Sequence, residues 1–148
     1  MPSLADNKKA FYDYEILEKF EAGIILIGTE VKSIKGGRIN LAGSYIVPKD
    51  NEFFMINANV PPYQPKNAPS DYDPLRSRKI LLRKKEIEHL LGKVKERGLT
   101  LLPLNVYTKG GKIKLEFGLA QGKKKIDKRE TIKRREAERE IGRNLKSW

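Results

Sequence analysis

A chain of 148 residues has room for one domain that buries about two-thirds of its unfolded surface, and 39 % hydrophobic residues suffice for its core. Lys and Arg number 31 against 19 Asp and Glu, a net charge of +12. Such a surplus gains most from a polyanion, nucleic acid first, because each neutralised phosphate releases counterions; a merely soluble basic protein is the alternative. The absence of cysteine excludes disulfides, thiolate zinc sites and cysteine nucleophiles, and suits a cytoplasmic protein.

Residues 1–10 are polar and lack the apolar segment of a signal peptide, and runs such as Ile24 to Ile27 are far too short to span a bilayer. Tyr14–Phe20 and Ala22–Ile27 are expected to pair as a first hairpin. Thr29 then caps a short helix over Glu30–Lys35, which Gly36 and Gly37 end. A second hairpin pairs Ser44–Pro48 with Glu52–Ala58 across Lys49-Asp50-Asn51. Five prolines between residues 60 and 75 make that stretch a surface loop.

A longer helix is expected from Lys84 to Arg97. Ile87, Leu90, Leu91 and Val94 follow helical spacing there, and Gly98 stops it. Leu102, Leu104 and Val106 share one face of the next strand, with Pro103 at an edge, a bulge or the strand's start. Thr108 to Gly111 turn into a strand in which Ile113, Leu115, Phe117 and Leu119 alternate with Lys112, Lys114, Glu116 and Gly118. The fold class expected is mainly β: a small OB-like antiparallel β-barrel with short helices, over residues 1–121.

Residues 122–148 differ in character. They carry 11 Lys and Arg against 5 Asp and Glu, half of the net charge in 27 residues. Their apolar positions are too sparse to hold an isolated helix. The expectation is a basic C-terminal tail, disordered when free and helical against a polyanion. A terminal helix docked through Ile141, Leu145 and Trp148 is the alternative.

Catalytic signatures are weak. The lone His89 builds neither a nucleophilic triad nor a histidine metal set, and no phosphate-loop motif occurs. Asp71, Asp73 and Glu52 could in principle hold magnesium for a nuclease. The competing expectation is that the two aspartates form turns or pair with Arg76 and Arg78. Binding signals are better: Lys32, Lys35 and Arg38 surround the first helix, and Arg76, Arg78, Lys79, Arg83, Lys84 and Lys85 precede the second. Tyr12, Tyr14, Tyr45, Tyr63 and Tyr107 offer faces that could stack on bases, although each alone is more often core or rim.

Particular residues resemble a family. Asn7-Lys8-Lys9-Ala10, Tyr14 and Glu21-Ala22-Gly23-Ile24 are similar to the opening of the SsrA-binding (small protein B) family, and so is Gly28-Thr29-Glu30-Val31-Lys32-Ser33 followed by Gly37. Asp73-Pro74-Leu75-Arg76, Arg78 to Leu82, Gly98 to Leu104, Gly122-Lys123-Lys124 and Asp127-Lys128-Arg129 extend the likeness over nearly the whole chain. Ile126 departs from it, standing where the family often has a ring, and Asp71-Tyr72 replaces a more usual Asn-His.

The resemblance implies an OB-like fold and a non-enzymatic monomer without cofactor or metal. That protein binds the tRNA-like domain of transfer-messenger RNA and enters stalled ribosomes with elongation factor Tu. It implies Asn7, Glu21, Glu30, Lys32 and Leu81 on the RNA face, the two glutamates either accepting from ribose or base donors or serving structure. It also implies that Gly122, Lys123, Lys124, Asp127, Lys128 and Arg129 meet the ribosome's decoding site, 16S rRNA and mRNA channel. A generic OB-type single-strand or ribosomal RNA binder is the competing expectation.

Overall fold

The computed structural model describes residues 3–64, 66 and 70–123. Seven strands form one antiparallel sheet: β1 (Ser3–Asp6), β2 (Tyr14–Ile24), β3 (Tyr45–Lys49), β4 (Glu52–Ile56), β5 (Arg78–Leu81), β6 (Leu99–Lys109) and β7 (Lys112–Gly122). Three helices interrupt them: α1 (Lys8–Asp13), α2 (Gly28–Lys35) and α3 (Lys84–Lys93). The order β1-β6-β3-β4-β5-β2-β7 returns on itself because β6 also pairs β7, so six strands make a ring-like sheet with β1 added at one edge.

The ring is uneven. Strands β2, β7 and β6, each 11 residues long, form a continuous three-stranded ribbon. Closure elsewhere is thin: β3 meets β6 only at Ile46↔Leu101, and β5 meets β2 at Gly23↔Leu81 and Ile24↔Ile80. Inside lies the main core, including Phe53, Met55, Leu101, Leu115, Phe117 and Leu119, with α3 adding Leu90.

The second hairpin and the β6–β7 hairpin follow the alternation and turn residues read from the sequence. Asp50 and Asn51 adopt positive φ (52° and 61°) in the first, Gly110 and Gly111 (59° and 77°) in the second. Four expectations change. Tyr14–Ile24 is a single strand, since Tyr14 to Gly23 runs along β7 with one irregularity between Ile16 and Glu18, and Glu21-Ala22-Gly23 continues the ladder. Thr29 caps nothing: α2 begins after Ile27, whose amide donates to Glu30 Oε1 at 3.0 Å, while Thr29 Oγ1 accepts the Tyr63 amide. Helix α3 ends at Lys93, and short turn bonds (Glu96 amide to Lys93 carbonyl, Leu99 amide to Glu96 carbonyl) carry the chain to Gly98.

The fourth change concerns β6. Leu102 and Leu104 face outward into a second cluster with Ala10 and Ala120, whereas Val106 joins Leu101 in the main core. A bulge between Pro103 and Asn105 switches the faces, as an extra residue in a ladder must. Helix α1 covers the outward patch. Asn7 caps α1 through Oδ1 to the Ala10 amide, and its Nδ2 donates to the carbonyls of Pro103 (2.8 Å) and Leu41 (3.3 Å).

Candidate nucleic-acid interface

The far end of the ribbon, away from α1, gathers positive charge. Alternation along β7 sends Ile113 and Leu115 inward and Lys112 and Lys114 outward, and the glycine turn brings Lys109 of β6 beside them. Lys114 lies across from Gly23 on β2 and Tyr107 on β6. Next to them a cleft of about 340 Å³ opens between β2, α2, β5 and the β6–β7 turn. Its walls are Ile24, Leu26, Val31, Leu81 and Ile113, and its charged lining is Lys35, Lys112 and Lys114. Among the described residues no carboxylate lines it. Leu81 is 51 % exposed, an apolar side chain beside lysines, where a ligand with both an apolar face and negative charge fits.

Glu21 borders this region, directly across from Glu116. The Tyr107 hydroxyl donates a short hydrogen bond to Glu21 Oε2, and the Lys109 ammonium sits 3.3 Å from Oε1. These two bonds hold the Glu21 carboxyl below the usual carboxylate range, and Lys114 adds to the effect. Tyr107 is buried, and burial together with Glu21 pushes its phenol above the ordinary value. Its ring is therefore closed to base stacking.

Glu30 has a different setting. It is fully buried between two arginines: Arg78 Nε lies 2.6 Å from Oε2, and Arg76 grips both carboxylate oxygens. Arg78 is also fully buried and donates to the carbonyls of Ala58 and Pro74. Burial alone would push the Glu30 carboxyl up, but the bonds from Arg76, the Ile27 amide and Arg78 outweigh it and leave the group below its usual value. The aspartates do not take these arginines. Asp73 instead builds a turn, Oδ1 accepting the Leu75 amide at 2.9 Å. Arg78 is thus removed from the cationic surface read from the sequence.

Of the residues implied by resemblance, Leu81 lines the cleft, and Glu21 lies two residues before Gly23 on β2, held by Tyr107 and Lys109. Lys32 is on α2 one position beyond Val31, its ammonium 5.7 Å from the centre of the exposed Tyr63 ring. Asn7 and Glu30 lie inside, with 4 % and 0 % exposure. Gly122 is the last residue of β7, opposite Tyr14, and Lys123 donates its amide to the Asp13 carbonyl and its ammonium to the Phe11 carbonyl. Both belong to the folded body rather than to a tail. Lys124, Asp127, Lys128 and Arg129 lie outside the described residues, as does the expected conformation of the tail.

Lys109, Lys112 and Lys114 are the residues sequence reasoning missed. Their signal was available, as the polar half of the alternating β7 pattern. Tyr14 and Tyr45 line a smaller cavity of about 130 Å³ near α1. Among the described residues no group of three potential ligands could hold a metal ion, and Glu52 is paired with Lys79 at 2.7 Å. No described helix is long and apolar enough to cross a membrane.

The fold and this face define a small ring-like antiparallel β protein with a lysine-bordered cleft at one end of its longest strands. The family model for SmpB protein matches residues 4–147. The SsrA-binding protein of Gloeothece citriformis (strain PCC 7424) is 50 % identical over 145 residues, covering 98 % of this chain and 94 % of that protein. That of Sulfurihydrogenibium sp. (strain YO3AOP1) is 52 % identical over 143 residues, covering 97 % and 93 %. A solved chain described under "tmRNA-SmpB: a journey to the center of the bacterial ribosome" superposes with a TM-score of 0.68 at 47 % identity, over 82 % of this chain and 85 % of that one. The chain belongs to the SmpB protein family.

Proposed function

We propose that the cleft-bearing face binds the tRNA-like domain of transfer-messenger RNA and that the protein delivers this RNA to stalled ribosomes for peptide tagging. The observation that carries the reading is the identity of about one-half, across nearly the whole chain, with SsrA-binding proteins. The geometry supports it. Strand β7 begins at the cationic cleft and ends at Gly122, so its two ends stand roughly 30 Å apart at about 3.3 Å per strand residue, with the basic segment following in sequence from the far one.

In this reading Leu81, Lys32 and the lysines of β6 and β7 meet the RNA. Glu21 sets Lys109 and Tyr107 in place, and Asn7 and Glu30 act through the fold. Residues beyond Lys123, including Lys124, Asp127, Lys128 and Arg129, meet 16S rRNA at the decoding site and in the vacant mRNA channel. Elongation factor Tu joins through the RNA. The protein makes and breaks no bond, acts as a monomer and works in the cytoplasm. Gel-shift of the full chain against the tRNA-like domain with excess competitor tRNA tests the proposal. Retained binding supports it; equal affinity for unstructured poly-U at matched salt favours a generic single-strand binder.

A further inference from the structure

We infer that the cleft beside Leu81 receives one unstacked nucleobase of the bound RNA, with the adjoining phosphates on Lys112 and Lys114. The inference rests on the RNA-binding reading above and adds to it a one-base reading device. The cleft volume of about 340 Å³ falls at the lower end of the range of about 300–1,000 Å³ typical of small-ligand pockets. Its walls are aliphatic and its lining charges are all cationic. A flat apolar ring joined to a phosphate satisfies both at once, whereas an apolar protein side chain would match the aliphatic walls alone.

The mouth is shaped for a close approach. Gly110 and Gly111 hold positive φ, and a Cβ at either would project into open space, so the turn presents bare backbone. On the opposite side Leu81 lies over Gly23, its Cβ and Cδ1 each 3.5 Å from where a methyl at residue 23 would stand, so the missing side chain lets the leucine sit close to the strand. Leu81 then covers one face of the base while Ile24 and Ile113 cover its other surfaces. A folded RNA presents such a base in a loop, where unstacking costs least.

The test uses the full chain and a set of tRNA-like-domain RNAs, each with one unpaired loop nucleotide made abasic. One position is expected to weaken binding about tenfold or more, the scale of a base contact in single-strand recognition. Val31→Phe, which fills the cleft, should weaken the intact RNA by a similar factor and become indifferent to that abasic change. With the unaltered protein, 2-aminopurine at the same position should brighten on binding as it leaves its stack. A flat abasic scan with tight binding of the intact RNA overturns the base slot and leaves the RNA-binding reading standing. Unchanged 2-aminopurine emission at every loop position overturns the slot independently of any variant. Loss of the intact RNA to competitor tRNA overturns both.

Discussion

Arg78 and Glu30, 48 residues apart in sequence, meet at 2.6 Å with both side chains wholly excluded from solvent. With Arg76 on the same carboxylate they tie β5 and the proline-rich loop to α2, whose Val31 and Lys35 line the cleft. Replacing Glu30 by Gln strands Arg78 in the interior, and breaking a buried pair in this way costs about 3–5 kcal/mol. A thermal melt of E30Q should show a large drop. RNA affinity measured well below that melt should stay near the parent value; selective loss of affinity in a stable E30Q would mean that Glu30 meets RNA itself.

Acid should act through the same pair. The Glu30 and Glu21 carboxyls both sit below their ordinary range in the folded protein. A depressed folded pKa contributes stability that is complete above the unfolded value of about 4.3 and is lost as pH falls through the folded one. The melting temperature should therefore be nearly flat above about pH 5.5 and fall steeply below about pH 4. Melts of E30Q should show a shallower acid limb; an identical limb would remove Glu30 from this role.

Glu21 and Tyr107 form one unit, so their deletions should not add. In a double-mutant cycle on RNA affinity, E21Q and Y107F should each weaken binding several-fold, and the double variant little further. Fully additive losses would show Glu21 touching RNA on its own account.

Gly118 has no room for a side chain. A Cβ there would stand 2.8 Å from Ile16 Cγ2, 3.0 Å from Leu104 Cδ1 and 3.2 Å from the Glu18 carbonyl oxygen. G118A should destabilise the protein by about 1–3 kcal/mol through overpacking beneath α1. Denaturant titration measures it, and an unchanged midpoint would refute the tight fit.

Removing everything after Lys123 keeps the bonds of Gly122 and Lys123 to the body. Binding of the tRNA-like domain should stay within about threefold at physiological salt, where distant charges are screened, while tagging on stalled ribosomes is lost. Normal tagging by this truncation would end the two-surface reading.

The ring's hairpins were legible because alternation and turn residues are local. Lys49-Asp50-Asn51 and Gly110-Gly111 announce their turns in a few residues. The continuity of β2 was not legible, since Ala22-Gly23 looks like a turn until β7 is laid beside it. Neither β1 nor α1 was foreseen: four and six residues long, they depend on Asn7 reaching the carbonyl of Pro103 across the fold. Counting charges placed Arg78 on the surface, because nothing near it in sequence reveals the carboxylate that takes it inside. The resemblance named Leu81, which lines the cleft, yet Lys112 and Lys114 come into view only when the strands are folded together.

The unequal closure of the ring gives the cleft two kinds of wall. Lys112, Ile113 and Lys114 stand on the long ribbon and keep their spacing, like a fixed jaw. Leu81 hangs from β5, which reaches β2 through two residue pairs, and segments with few ladder bonds open at the lowest cost. The gap between the jaws is thus adjustable from the leucine side alone. In the proposed binding mode the leucine side can yield to an RNA without disturbing the register of the cations on the ribbon.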